Sequence, residues 1–160
     1  MNHETSIKDL QIRLATKSDI EAMLGLLKQL FVLETDFQFD AAKQRSGLEQ
    51  LIQYSEADEA RAAVFVVTVK EKVIAMCSCQ VFISTAEGGK SGLIEDVVVY
   101  ADYRQQGVGQ QLMQHVIKWA DTQGLKRLQL LADKNNEAAI TFYKTQGWQS
   151  TQLNAWFKLL

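Results

Sequence analysis

Proline is absent from all 160 residues. That excludes polyproline II segments and collagen-like repeats, and it removes prolyl isomerisation as a slow folding step. It also leaves turns and element ends to be read from Gly, Asn, Asp and periodicity alone. Cysteine is nearly as scarce, with Cys77 and Cys79 the only two. Two residues apart on one strand, they point the same way with Cα atoms roughly 6.5 Å apart. That spacing makes a poor disulfide, and two thiolates are too few for a closed zinc site. They read as buried, reduced thiols suited to the cytoplasm, and no metal is expected. A basic excess is lacking too. Seventeen Lys and Arg oppose nineteen Asp and Glu, for a net charge of -2, so no basic face for nucleic acid is expected. No apolar run reaches the length of a membrane span. The first residues, Met1 to Gln11, carry no apolar core of a secretory signal. Neither membrane nor nucleic acid is therefore expected as a partner.

What is there is a chain with 47% hydrophobic residues, which argues against disorder. The length fits one compact domain over residues 1–160, able to bury about two-thirds of its extended-chain surface. Charge is uneven along it. Glu34, Asp36, Asp40, Glu49, Glu56, Asp58 and Glu59 are opposed only by Lys43 and Arg45. That run is either a solvated helical face or an acidic rim that attracts a cationic substrate.

Periodicity supplies the elements. Leu10–Leu14 alternates and predicts a short strand. Ser18, with Glu21 three residues on, predicts a capping box. It opens a helix on Ile20, Met23, Leu24, Leu27, Leu30 and Phe31 that ends near Leu33. Residues 34–40 read as a loop. Ala41–Tyr54 reads as a second helix with Leu48, Leu51 and Ile52 inward and Tyr54 the next candidate; Gly47 weakens it. Ala63–Val69 and Val73–Ile83 flank the polar turn Lys70-Glu71-Lys72 and predict a hairpin. Thr85–Ser91 reads as a loop, and Leu93–Tyr100 as a central strand interrupted by Glu95 and Asp96. Gly107–Thr122 is the clearest helix, with Val108, Leu112, Val116 and Ile117 on its apolar face and Gly124 after it. Leu128–Ala132 predicts a strand. Asn135 or Asn136 opens a last helix stopped at Gly147. A strand from Trp148 and another over Leu153–Leu159 close the chain. This order is an α/β layout on a mixed sheet, not a doubly wound one.

Arg104-Gln105-Gln106-Gly107-Val108-Gly109 lies between a strand and a helix. Glycines there let backbone N–H groups crowd around an anion. The helix start adds unpaired donors, and Arg104 adds a charged fork. A diphosphate would fit, and so would a plain glycine turn with no ligand. The segment is neither a Walker loop nor a dinucleotide fingerprint: no Gly-Lys-Ser/Thr follows, the glycine spacing differs, and Asp133 is the nearest acid to a ribose-binding position.

Two blocks make the sequence resemble the GCN5-related N-acetyltransferase superfamily. The first runs from Glu95 to Gly109, where Arg104, Gly107 and Gly109 match the family's Gln/Arg-x-x-Gly-x-Gly/Ala pattern. The second is Asn136, Ala139, Phe142, Tyr143, Gly147 and Trp148. The family often has Pro at the place of Ala101 and Phe at that of Trp148, and neither departure removes a catalytic group. The resemblance implies an acyl-CoA N-acyltransferase (GNAT) fold, with a mixed, mostly antiparallel central sheet flanked by helices. It implies acetyl-CoA as cofactor, its diphosphate on the backbone of Arg104, Gln105, Gln106, Gly107, Val108 and Gly109. Its pantetheine arm would run beside Val97, Val98 and Val99. Many relatives pair, so a homodimer is a possible state.

Transfer of an acetyl group to an amine requires deprotonation of the amine, stabilisation of the developing oxyanion and protonation of the leaving thiolate. By the resemblance, Tyr143 lies beside the CoA sulfur; a phenol is a proton donor at neutral pH. Glu95 is the candidate general base, since a carboxylate inside an apolar strand has its pKa raised toward neutrality; Asp96 is the second choice. The two acids point to opposite faces unless a bulge intervenes. Backbone N–H groups supply the oxyanion stabilisation. Asn136 caps its helix and is a candidate to touch the pantetheine. His3 and His115 add little. The segment Phe31–Tyr54 matches the family's acceptor region. Its acids and aromatics suit a small cationic amine. The alternatives are a protein lysine or N-terminal amine as acceptor, and a non-catalytic acyl-CoA-binding module.

Overall fold

The computed structural model describes residues 7–57 and 59–160, so His3 and Asp58 lie outside the described residues. The chain divides into two compact units, one ending at Gln129 and one from Leu130 to Leu160.

The first unit is organised by its sheet. Strands β1 (Leu10–Leu14), β2 (Ala62–Val69), β3 (Lys72–Ser84), β4 (Gly89–Val99) and β5 (Arg127–Leu130) form one five-stranded sheet in that order. The pairs β1–β2, β2–β3 and β3–β4 are antiparallel. With helices against its faces, this is the mixed, mostly antiparallel α/β architecture that the sequence implies. Lys70 and Glu71 make the two-residue hairpin turn, with φ of 49° and 67°; positive φ at both central residues matches the twist of the flanking strands.

One face of the sheet is covered by α1 (Ile20–Leu33) and α2 (Ala41–Ser55). Met23, Leu26, Leu27, Leu48 and Ile52 of these helices share a core with Val64, Val66, Met76 and Val98. Each such side chain, fully buried, contributes about 1.5–3 kcal/mol. Phe65 alternates with Val64 and Val66, so it projects from the opposite face. There it meets His115 and Trp119 of α3 (Val108–Thr122) edge-on, at centroid distances of 5.4 and 5.6 Å. Val108, Leu112, Met113, Val116 and Ala120 form the buried stripe of α3. Ile117, expected on that stripe, is exposed, and Met113 takes its place. Cys77 and Cys79 are free and buried on β3, and burial pushes both thiols up, Cys79 to about 12.

Several boundaries differ from expectation. The cap before α1 is built by Thr16 and Asp19 rather than Ser18 and Glu21. The Thr16 N–H and hydroxyl donate to Asp19 Oδ2 at 2.8 and 3.1 Å. Arg13 donates to both carboxylate oxygens of Asp19, at 2.7 and 2.9 Å. A carboxylate fixed by a guanidinium is a stronger acceptor than the Ser18 hydroxyl. The strand expected from Leu93 starts at Gly89, because β3 and β4 keep pairing to Ser84 and Gly89. Gly92 lies in this extension, where a Cβ would come within 2.7 Å of Leu128 and 2.8 Å of Cys79 Sγ. Tyr54 is exposed rather than inward, with the Arg61 guanidinium 5.9 Å from its ring centre.

In the second unit, α4 (Glu137–Thr145) starts at Asn136, whose side chain accepts from the Ala139 N–H at 3.0 Å. Gly147, at φ 84°, follows its end. The strands expected from Trp148 and over Leu153–Leu159 are not formed, and Leu153, Trp156, Phe157 and Leu159 are exposed. Alternation fixes which side chains would share a face. A strand also needs a backbone ladder, and residues 149–160 form none.

Candidate active site

The strand β4 is irregular at its centre. Opposite β3, Ser78 faces Glu95 and Met76 faces Val98, so β4 carries one extra residue between these pairs. Asp96 sits at this bulge with φ 55°. A left-handed conformation costs an ordinary L-residue about 1–2 kcal/mol, and Asp is among the residues that tolerate it best. This is the bulge that, as the sequence allowed, exempts Glu95 and Asp96 from simple alternation.

Asp96 lines a cavity of about 180 Å³ between β4, α1 and α2. Leu27 and Phe31 come from α1; Leu48, Leu51, Lys43 and Gly47 come from α2. Burial pushes the Asp96 carboxyl up to about 7, helped by repulsion from Glu95 and Glu34. Glu95, the first choice for a buried base, is exposed. Its carboxylate accepts from Gln80 Nε2 at 3.0 Å. The sequence flagged both acids as an interruption but carries no signal for the bulge that separates their surroundings. Lys43 and Gly47 were not marked as site residues; only the pairing of two helices over the sheet reveals them.

Two acids of the run have local partners. The Asp40 carboxylate accepts from the N–H groups of Ala42 and Lys43 and caps α2. Glu59 pairs with Lys90 on β4. Phe37 is exposed and packs on Phe31 at 5.9 Å.

Beyond the bulge, Val98 is buried in the core while Val97 and Val99 are half-buried. The chain then makes a short turn, Ala101–Tyr103. Arg104 Nε donates to the Val99 carbonyl at 2.9 Å, tying the loop to the end of β4. Gln106 Nε2 donates to the Asp102 carbonyl at 2.8 Å. Gln105 and Gly107 have φ of 58° and 77°. Gly107 begins α3 with no side-chain cap, and the buried Val108 anchors the helix start. Gly109 follows in the first turn. Uncapped N–H groups at a 15-residue helix carry a partial positive charge. With the Arg104 guanidinium alongside, these residues fit a diphosphate. Lys72 adds a cation next to the loop, 5.8 Å from the ring centres of Tyr100 and Tyr103.

In the second unit, Tyr143 stacks edge-on with Phe142 at 5.2 Å and with Trp148 at 6.0 Å. The Trp148 N–H donates to the Tyr143 carbonyl at 3.1 Å. Asn136 spends its side-chain oxygen on the cap of α4. No helix among the described residues is long and apolar enough to cross a membrane.

The model of the acetyltransferase (GNAT) family matches residues 27–148, well over half of the chain. An uncharacterized N-acetyltransferase of Methanocaldococcus jannaschii is 24% identical over 156 residues, which is 96% of this chain and 67% of that protein. The crystal structure of a possible acetyltransferase from Clostridium difficile 630 superposes with a TM-score of 0.80 at 21% identity, covering 96% of this chain and 99% of that one. AAC(6')-Iy, solved with the bisubstrate analogue CoA-S-monomethyl-acetylneamine, superposes with a TM-score of 0.77 at 19% identity, covering 94% and 98%. At these identities the two structures establish a shared fold.

Proposed function

The chain belongs to the acetyltransferase (GNAT) family, and from that premise we propose that it is an N-acetyltransferase moving an acetyl group from acetyl-CoA directly to a primary amine, cationic before it reacts, of a small molecule. The observation that carries this is the family match, which spans the bulged strand, the Gly107 loop and α4 together. Residues 1–160 then act as one catalytic domain, in the cytoplasm, where Cys77 and Cys79 stay reduced. A relative of the same fold is solved with a CoA-containing bisubstrate analogue, which supports acetyl-CoA as the donor.

When bound, acetyl-CoA supplies an activated acetyl thioester. The N–H groups of Gly107, Val108 and Gly109 and the guanidinium of Arg104 hold its diphosphate, with Gln105 and Gln106 shaping the loop. The backbone of Val97, Val98 and Val99 receives the pantetheine arm. An N–H at Val98 or Val99 donates to the thioester oxygen as negative charge develops there.

Asp96 is the better base of the two acids. A carboxyl titrating near 7 accepts a proton from an ammonium more readily than an ordinary carboxylate does, yet is substantially ionised at neutral pH. Glu95 stands beside it and raises its proton affinity. Tyr143 donates the proton that the departing sulfur requires. Asn136 fixes the start of the helix that carries Tyr143. A cavity of about 180 Å³ has room for a small acceptor. Measuring release of free CoA from acetyl-CoA across polyamines, amino acids, aminoglycosides and lysine peptides tests the proposal. Amine-dependent release supports it. Acetyl-CoA binding without turnover of any amine would point to a non-catalytic acyl-CoA-binding module.

A further inference from the structure

The cavity beneath Asp96 combines three chemical features in one place. Leu27, Phe31, Leu48 and Leu51 give it apolar walls. Asp96 on β4 and the exposed Lys43 on α2 line it as one acidic and one basic residue. Lys43 has no salt bridge among the described residues, whereas Arg45, two residues on, pairs with Glu21 at 2.6 Å.

Gly47 is the third feature. It lies inside α2, where glycine costs about 1 kcal/mol relative to alanine. Its backbone is not in the left-handed region, and a Cβ there would meet nothing within 4 Å. Neither local conformation nor packing against the protein calls for glycine. Its missing side chain leaves space in the cavity wall.

A polyamine fits these features poorly. It would bring further cations toward Lys43 and carry charged nitrogens along the apolar walls. We propose that this cavity is the acceptor site and that the acceptor is an amino acid with an apolar side chain. Its ammonium faces Asp96, its side chain lies on the leucines and Phe31, and its carboxylate meets Lys43. This rests on the N-acetyltransferase function proposed above. In the transfer, one ammonium proton passes to Asp96. The N–C bond forms as the C–S bond breaks, and a second nitrogen proton ends on the CoA sulfur.

The test is kcat/KM, read by CoA release, for leucine, phenylalanine, isoamylamine and spermidine. Isoamylamine is the leucine skeleton without its carboxylate. Leucine and phenylalanine should exceed isoamylamine and spermidine by about tenfold or more, the effect of one charge-assisted contact. Lys43→Met should collapse the preference for leucine over isoamylamine. Gly47→Leu should fill the cavity, raising the KM for leucine by about tenfold while leaving the KM for acetyl-CoA and the fold intact, the latter checked by Tm. Turnover of spermidine or a lysine peptide with leucine inert would overturn the acceptor class and leave the transferase standing. An unchanged leucine KM in Gly47→Leu would overturn the location. Failure of every amine to release CoA would overturn both the transferase function and the acceptor.

Discussion

Asp96 and Glu95 are sequence neighbours in different surroundings: Asp96 lines the cavity with Leu27 and Phe31, while Glu95 is exposed and hydrogen-bonded to Gln80. The extra residue in β4 produces the difference. It gives Asp96 its left-handed backbone and sets its carboxyl among apolar side chains. A base needs that setting, because desolvation brings its pKa into the working range.

Substituting Asp96→Asn keeps the volume and removes the proton acceptor. It should lower kcat/KM by about a hundredfold or more. In the wild type, kcat/KM should climb with pH and level off above about 7, as the carboxyl ionises. Glu95 and Glu34 repel it, and the exposed Lys43 of α2 lines the same cavity. Stability should move the other way. The folded pKa lies above the unfolded one, so the stabilising contribution is complete below about 3.9 and lost as pH rises through about 7. Chemical denaturation should therefore find Asp96→Asn more stable than wild type at about pH 8, with the difference gone below about pH 4.

How much of this was legible in the sequence differs from residue to residue. Gly107 was legible because a positive φ at a helix start needs glycine, and the apolar stripe of α3 marks that start. Asn136 was legible as a cap because its hydrogen bond is local. The bulge was not, since it depends on the register between β3 and β4. Nor was the true cap of α1, because Asp19 draws its main partner, Arg13, from the preceding strand. The same holds for Leu153–Leu159, where alternation alone does not supply a ladder.

Tyr143→Phe removes the hydroxyl and keeps the ring that packs on Phe142 and Trp148. It should lower kcat by about tenfold, less than for a poor leaving group, because a thiolate departs readily without full protonation. The KM for acetyl-CoA should hold. Steady-state kinetics with an accepted amine separates the two constants.

Gly107→Ala puts a Cβ on a residue at φ 77°. The strain should cost about 1–2 kcal/mol and turn the loop's N–H groups off their alignment. Calorimetric titration with CoA should show affinity lowered by about tenfold or more. Unchanged affinity would remove this loop from the diphosphate site.

Asp19→Asn breaks the bidentate pair with Arg13 at the start of α1. Asp19 is 6% exposed, but the Arg13 side chain is 41% exposed, so the cost should be near 2 kcal/mol rather than that of a fully buried pair. The Arg13 guanidinium holds the Asp19 carboxyl below its usual range. Its contribution is thus present above the unfolded value of about 3.9 and is lost as pH falls through the lower folded value. Urea denaturation of both forms from pH 7 down into acid should show the two curves converging.

The most direct test follows acetyl-CoA and amine together: CoA released and acetylated amine formed, with wild type and Asp96→Asn side by side. Equal amounts of CoA and N-acetylated product from the wild type, with a rate that rises through about pH 7 and collapses in Asp96→Asn, are the predicted result. CoA release that does not depend on amine, or turnover undiminished in Asp96→Asn, would contradict it.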